Sequence, residues 1–242
     1  MNDPFDASGC FETLRVERGR ALRLAEHMSR LEASSKTLGL PAWDGRAARA
    51  QAEMAARGIV EGYIRVAVRR SGSPRLLVHR HEGRPYPAEW VRSGIAVRTV
   101  PSRWPAGETG IAQAKVSERV TGVLARAEAP DSPEVLRIGR HGYLTEGTVS
   151  NLFLVRGGTL ATPPAWLGVL EGVTRARVIA EARKIRVLVE EVPLTRHDLF
   201  NAEEAFLTNV LMPVLPVREA DGRKIGTGTP GPLTRRLMRA VA

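Results

Sequence analysis

The stretch GYLTEGTVSNLFLVRGGTL, residues 142–160, carries two apolar runs with turn-forming residues between and after them. The apolar runs on either side of GTVS, and the Gly157–Gly158 pair, predict strands joined by tight turns and directed into a core. One residue resists that reading. Glu146 stands at the end of an apolar strand, beside Thr145 and five residues before Asn151. A carboxylate there is either an edge-strand ion pair with one of many arginines or an anion aimed at a cation in a site.

Working outward, the segments on both sides alternate between strand and helix patterns. CFETLRV alternates as a strand and Gly19 turns the chain. Leu24, Met28, Leu31 and Leu38 then form one apolar stripe of a helix stopped at Gly39, and a second helix is expected over 45–57. YIRVAVRR, RLLVHRH and GIAVRTV read as three strands, with turns at SGSP and EGRPYP. PSRWPAGETG, residues 101–110, is rich in Pro and Gly and reads as a linker. Val116, Val120, Val123 and Leu124 predict a buried helix with Lys115 at its start. Beyond the opening stretch follow a turn and helix (EGVTRARVIAEARKI), a strand (RVLVEEV), a short helix (LTRHDLFNA), two strands (EAFLTNVLMPVLPVREADGRKI) and a closing helix (GPLTRRLMRAVA). The expected fold class is therefore α/β (α+β) in two domains: a smaller one over 1–103, a linker over 104–112 and a larger one over 113–242.

Composition narrows the functions. With 242 residues, 43% hydrophobic and 26% charged, the chain has an ordinary globular make-up. No apolar run approaches the roughly 18–20 residues needed to span a bilayer. MNDPFDASGCFETLRV lacks the basic and apolar regions of a secretory signal, so no membrane partner and a cytoplasmic location are expected. The single Cys10 excludes an intrachain disulfide, and no Cys/His cluster has zinc spacing, so no metal is expected. The net charge of +10 raises nucleic acid as a partner, but the basic residues are scattered, without a tail or a long run. A small anionic substrate fits scattered arginines better.

Lysine is scarce: Lys36, Lys115, Lys184 and Lys224 are the four, and only Lys115 lies between apolar segments. A lysine in such surroundings has its ammonium form disfavoured, as a carbonyl-condensing lysine requires. Glu146 follows it by thirty-one residues. LEGVTRARV sets Gly172, Val173 and Thr174 at a helix start, where free N–H groups and the helix dipole favour an anion such as phosphate. Arg30 follows His27 by three, on a helix face away from the apolar stripe, which by itself reads as solvated.

In this order, GCFETLRV, RLAEHMSRLEAS, AKVSERVTGVLARAEA, GYLTEGTVSNLFLV, LEGVTRARV and FLTNVLMPVLPV resemble the motifs of the fold-type IV, class IV aminotransferase-like enzymes that use pyridoxal 5'-phosphate. The resemblance covers about residues 9–240. It implies two α/β domains with the cofactor between them and a homodimer. It also implies that Lys115 holds the cofactor and relays the proton, and that Glu146 faces the pyridine nitrogen. Arg30, Val173 and Thr174 would bind the phosphate, closed by Thr208, Asn209 and Val210. Val210 stands where aminotransferases usually carry a hydroxyl, and the N-terminal strand pair is short.

Within the family, NVLMPVLPV is closely similar to the corresponding strand of bacterial 4-amino-4-deoxychorismate lyases, which eliminate pyruvate to give 4-aminobenzoate, a folate precursor. That lyase is the expected activity. Against it, Tyr63 and Arg65 have the spacing that branched-chain aminotransferases use for a substrate carboxylate. The alternatives are therefore a branched-chain or D-amino-acid aminotransferase, and a family member that binds the cofactor or nucleic acid without turnover.

Overall fold

Alternation in GCFETLRVE sends Cys10, Glu12, Leu14 and Val16 to one side of a strand, and all four side chains are buried. The computed structural model describes residues 9–70, 76–101, 114–116 and 120–241. They fall into two compact units, one running to Pro85 and including the stretch around Lys115, the other holding the rest.

The smaller unit contains β1 (Gly9–Glu17), β2 (Arg20–Ala21), α1 (Leu24–Thr37), α2 (Gly45–Ala56), β3 (Glu61–Arg69) and β4 (Leu76–Glu82). Its antiparallel sheet has the order β2-β1-β3-β4. The helices cover one face, where Leu14, Val16, Ile64 and Val66 meet Met28, Leu31, Ala48 and Ala52. Each fully buried Leu or Ile there contributes about 1.5–3 kcal/mol. Asp44 caps α2 by accepting the N–H groups of Arg46 and Ala47 at 2.8 and 3.0 Å. Gly39 ends α1 with a φ of 58°, a left-handed conformation costly for other residues. By alternation the opposite face carries Phe11, Thr13 and Arg15 from β1 and Tyr63, Arg65 and Arg69 from β3.

The larger unit adds α3 (Ala88–Ser93), β5 (Ile95–Pro101), α4 (Val120–Glu128), β6 (Glu134–Ile138), β7 (Leu144–Gly147), β8 (Asn151–Arg156) and β9 (Thr159–Thr162). Then come α5 (Val173–Lys184), β10 (Val189–Glu191), α6 (Arg196–Phe200), β11 (Glu204–Thr208), β12 (Leu215–Ala220), β13 (Arg223–Lys224) and α7 (Pro232–Val241). The strands form one sheet in the order β10-β9-β8-β11-β12-β5-β6-β7, with β13 on β12. β7 also pairs with β8 through Glu146 and Asn151, which closes the strands from β8 round to β7 into a ring. Leu152 and Leu154 of β8 enter one core, while Phe153 and Val155 enter another beneath α5 and α7. Glu146, Asn151 and Thr208 are consecutive cross-strand partners on β7, β8 and β11. They share the face on which Phe153 and Phe206 stack at 5.1 Å.

Three expectations are corrected. The strand Ile95–Pro101, assigned to the first domain, pairs with β6 and β12 in the larger unit, because both its faces need cover that the small sheet lacks. Lys115, expected at a helix start in the larger domain, instead lies on an extended stretch bridged to β1 of the smaller unit. Val123 and Leu124, expected to be buried, are exposed on α4, which packs through Ala125 instead. The expected linker over 104–112 and the turn at SGSP lie outside the described residues. Helix α3 was not anticipated in EGRPYPAEWVRS; it is six residues long, too short for a periodic signal.

Candidate functional site

In the smaller unit, the residue of interest is Lys115. Its backbone is fixed on both sides: its N–H donates to Ser34 Oγ at 3.1 Å, and its carbonyl accepts the Phe11 N–H at 3.1 Å. Val116 forms a bridge with Cys10, and Nζ stands 5.1 Å from the centroid of the Phe11 ring. The next side chain on β1, Glu12, is fully buried. Its carboxylate accepts Arg30 Nε and Nη2, each at 2.7 Å, and lies 2.7 Å from His27 Nδ1. Burial pushes this carboxyl up. The hydrogen bonds from Arg30 and His27 and the charges of Arg30 and Lys115 outweigh that effect and hold it at about 2. Burial, then the Glu12 charge, pushes the Cys10 thiol up to about 12, so this cysteine is an inert core residue. The helix face of His27 and Arg30, which read as solvated from sequence alone, is therefore built around a buried anion.

Across the sheet, Tyr63 stacks on His81 with centroids 4.5 Å apart, and the Arg65 guanidinium lies 5.6 Å from the Tyr63 ring. Burial, then the charges of Arg65 and His79, hold His81 below the ordinary histidine value. The face is electropositive and aromatic, suited to a carboxylate.

In the larger unit, Glu146 is buried and meets three donors. Arg137 Nη2 donates to Oε1 at 2.6 Å; the Leu170 N–H and Asn151 Nδ2 donate to Oε2 at 2.9 and 3.2 Å. A carboxylate offers about four acceptor positions, so one remains on Oε1. A ring N–H of pyridoxal phosphate fits that position. The N-terminus of α5 follows at Val173, with Gly172 before it, no capping side chain and no acidic residue in the first turn. Thr174 is buried there. An uncapped helix start is the donor set a phosphate takes. Thr208, across from Asn151 on β11, holds a buried hydroxyl with no partner among the described residues, as expected of a group that serves a ligand.

The structure thus gathers Glu146, Val173, Thr174 and Thr208 in one unit and Lys115 and Arg30 in the other. Asn209 follows Thr208 directly, and its Oδ1 accepts the N–H groups of Leu211 and Met212 at 2.9 and 2.7 Å, an Asx turn. Val210 is half-buried in the same turn. Glu12 and Arg137 carry polar chemistry that their spacing did not single out. Glu12 was legible in principle, because alternation places it on the apolar face of β1. Arg137 was not, since its pairing with Glu146 depends on the irregular β6–β7 register.

Among the described residues no cluster of ligating side chains could hold a metal, and no helix is long and apolar enough to cross a membrane. Comparison with known proteins matches residues 9–220 to the amino-transferase class IV family. The putative branched-chain-amino-acid aminotransferase of Methanocaldococcus jannaschii is 32% identical over 95% of this chain and 84% of its own length. The D-alanine aminotransferase of Bacillus licheniformis is 27% identical over 96% and 86%. The crystal structure of a T.th. branched-chain amino acid aminotransferase with pyridoxamine 5'-phosphate superposes with a TM-score of 0.86 at 30% identity, over 97% of this chain and 84% of that one.

Proposed function

Because the chain belongs to the class IV aminotransferases, whose cofactor is pyridoxal phosphate, we propose that it transfers an amino group between an amino acid and a 2-oxo acid. Branched-chain amino acids and D-alanine are the donors suggested by the names of its relatives. The observation that carries the reading is the buried Glu146 carboxylate, with one acceptor position left, next to an uncapped helix start. When bound, the cofactor supplies an electron sink for the bond broken at the substrate Cα.

The roles of the chain's own residues follow from their settings. Lys115 Nζ, on a backbone pinned to β1 and α1, holds the cofactor and moves the Cα proton. Glu146 holds the ring nitrogen in its protonated form. Val173 and Thr174 present N–H groups to the phosphate, and Arg30, oriented by Glu12, adds its charge. Tyr63 and Arg65 orient a substrate carboxylate.

The lyase expectation gives way here, since relatives aligned along nearly the whole chain carry aminotransferase names. One observation still favours it as a second reading: the Asn209 turn that leads into MPVLPV lacks the hydroxyl usual in aminotransferases. The two readings separate in one assay. Protein supplied with cofactor, 2-oxoglutarate and valine, leucine or D-alanine should form glutamate. Formation of 4-aminobenzoate and pyruvate from aminodeoxychorismate, with no glutamate from any donor, would reverse the assignment.

A further inference from the structure

The Leu170 peptide is held from both sides. Its N–H donates to Glu146 Oε2 at 2.9 Å, and its carbonyl accepts Asn151 Nδ2 at 2.8 Å. The same Nδ2 reaches Glu146 Oε2 at 3.2 Å, so one buried amide binds both the carboxylate and the chain that leads into α5. Only Glu171 and Gly172 separate Leu170 from Val173, the first residue of that helix. Gly172 leaves room for this contact: a Cβ there would lie 2.2 Å from Asn151 Oδ1. Asn151 is also the β8 residue that pairs with Glu146 where the ring of strands closes. Its amide is therefore fixed by the sheet rather than by a mobile loop.

We propose that Asn151 is a positioning residue that sets the spacing between the Glu146 carboxylate and the start of α5, and so matches the site to the distance from ring nitrogen to phosphate in the cofactor. The proposal rests on the cofactor reading above. A ligand that bridges both anchors gains from both only if their separation is correct. A ligand that occupies one anchor is indifferent to it. Asn151 touches neither the ring nor the phosphate in this role; it acts through Glu146 and through Leu170.

The test uses full-length protein freed of cofactor and measures dissociation constants for pyridoxal phosphate and for inorganic phosphate. Asn151→Ala should weaken pyridoxal phosphate by about tenfold or more, the effect of losing two buried hydrogen bonds, and change inorganic phosphate by less than about twofold. The absorption band of the bound cofactor should shift as the ring loses its seat. Gly172→Ala, which crowds the Asn151 amide, should weaken pyridoxal phosphate in the same selective way. In the Asn151→Ala background the Gly172→Ala change should add little, because the atom it displaces is gone. Equal losses for both ligands, or fully additive effects, would overturn the proposal and leave Asn151 a packing residue. Unchanged cofactor affinity in both folded single variants would overturn it too. Wild-type protein that binds no cofactor would overturn the functional reading together with it, a result distinct from variants that bind as well as the wild type.

Discussion

Arg30 grips Glu12 through Nε and Nη2 at the same 2.7 Å, a bidentate pair in which the carboxylate is fully buried and the guanidinium is partly exposed. Such a pair fixes the direction of the arginine and leaves a buried anion that depends on its partners. The carboxyl sits at about 2 against an ordinary 4.5. A depressed carboxyl stabilises the fold fully above its unfolded value and loses that contribution as pH falls through the folded one. The contribution is on the order of 3 kcal/mol at neutral pH. Wild-type protein should therefore lose stability between about pH 4.5 and pH 2. Glu12→Gln should start less stable at pH 7 and show a shallower loss over that window. Denaturant titrations at pH 7 and pH 3 on both proteins check this; parallel losses would contradict it.

Glu146→Gln keeps the shape of the side chain and removes the anion. With the carbonyl oxygen at the Oε2 position, the Leu170 N–H and Asn151 Nδ2 keep their acceptor while the new NH2 faces Arg137 Nη2, a donor against a donor, so the cofactor should stay bound but more weakly. Amino transfer should fall by about two orders of magnitude, because charge at the ring nitrogen is stabilised no longer. Equilibrium binding and steady-state rates together decide this. A variant with unchanged turnover would remove Glu146 from the assignment.

Arg65→Ala tests the electropositive face of the small sheet. With Arg65 taken from above Tyr63, the Michaelis constant for the 2-oxo acid should rise by about tenfold or more while cofactor affinity stays as it was. His81 should titrate closer to an ordinary histidine, since one of the charges that lowers it is gone. Kinetics and a histidine NMR titration measure the two effects separately.

Thr208→Val replaces a buried hydroxyl that has no partner among the described residues. Cofactor-free protein should be unchanged or more stable by up to about 1 kcal/mol, because an unpaired polar group no longer has to be buried. Cofactor affinity should drop by about threefold to tenfold if the hydroxyl serves the ligand. Thermal unfolding with and without cofactor distinguishes these effects; destabilised cofactor-free protein would show a hydrogen bond inside the fold instead.

Most strands and helices were legible because their patterns are local. The Leu24/Met28/Leu31 stripe and the alternation in GCFETLRV each report one buried face. What stayed hidden depends on pairing at long range. Ile95–Pro101 joins the larger sheet through partners at 134–138 and 217–220. Lys115 reads as a helix start from its own neighbours, yet it is held as an extended stretch by Cys10 and Phe11, more than a hundred residues earlier. Glu146 was visible as an anomaly and the motif around it as a family signature. Its partners Arg137 and Leu170 were not visible, since neither spacing nor residue type brings them together before the ring of strands closes. Asn209, expected to close the phosphate site, also has a local role that its motif did not reveal: its side-chain oxygen holds an Asx turn within three residues.

A single half-reaction decides whether Lys115 and Glu146 serve amino transfer through pyridoxal phosphate. Cofactor-loaded protein is mixed with excess amino-acid donor and no 2-oxo acid, and the absorption spectrum and released 2-oxo acid are followed together. The visible band should give way to that of the amine form of the cofactor, with one 2-oxo acid released per site. Lys115→Ala should release no 2-oxo acid and show no conversion to the amine form. A wild-type band that persists unchanged with every donor, while aminodeoxychorismate yields pyruvate and 4-aminobenzoate, would contradict amino transfer.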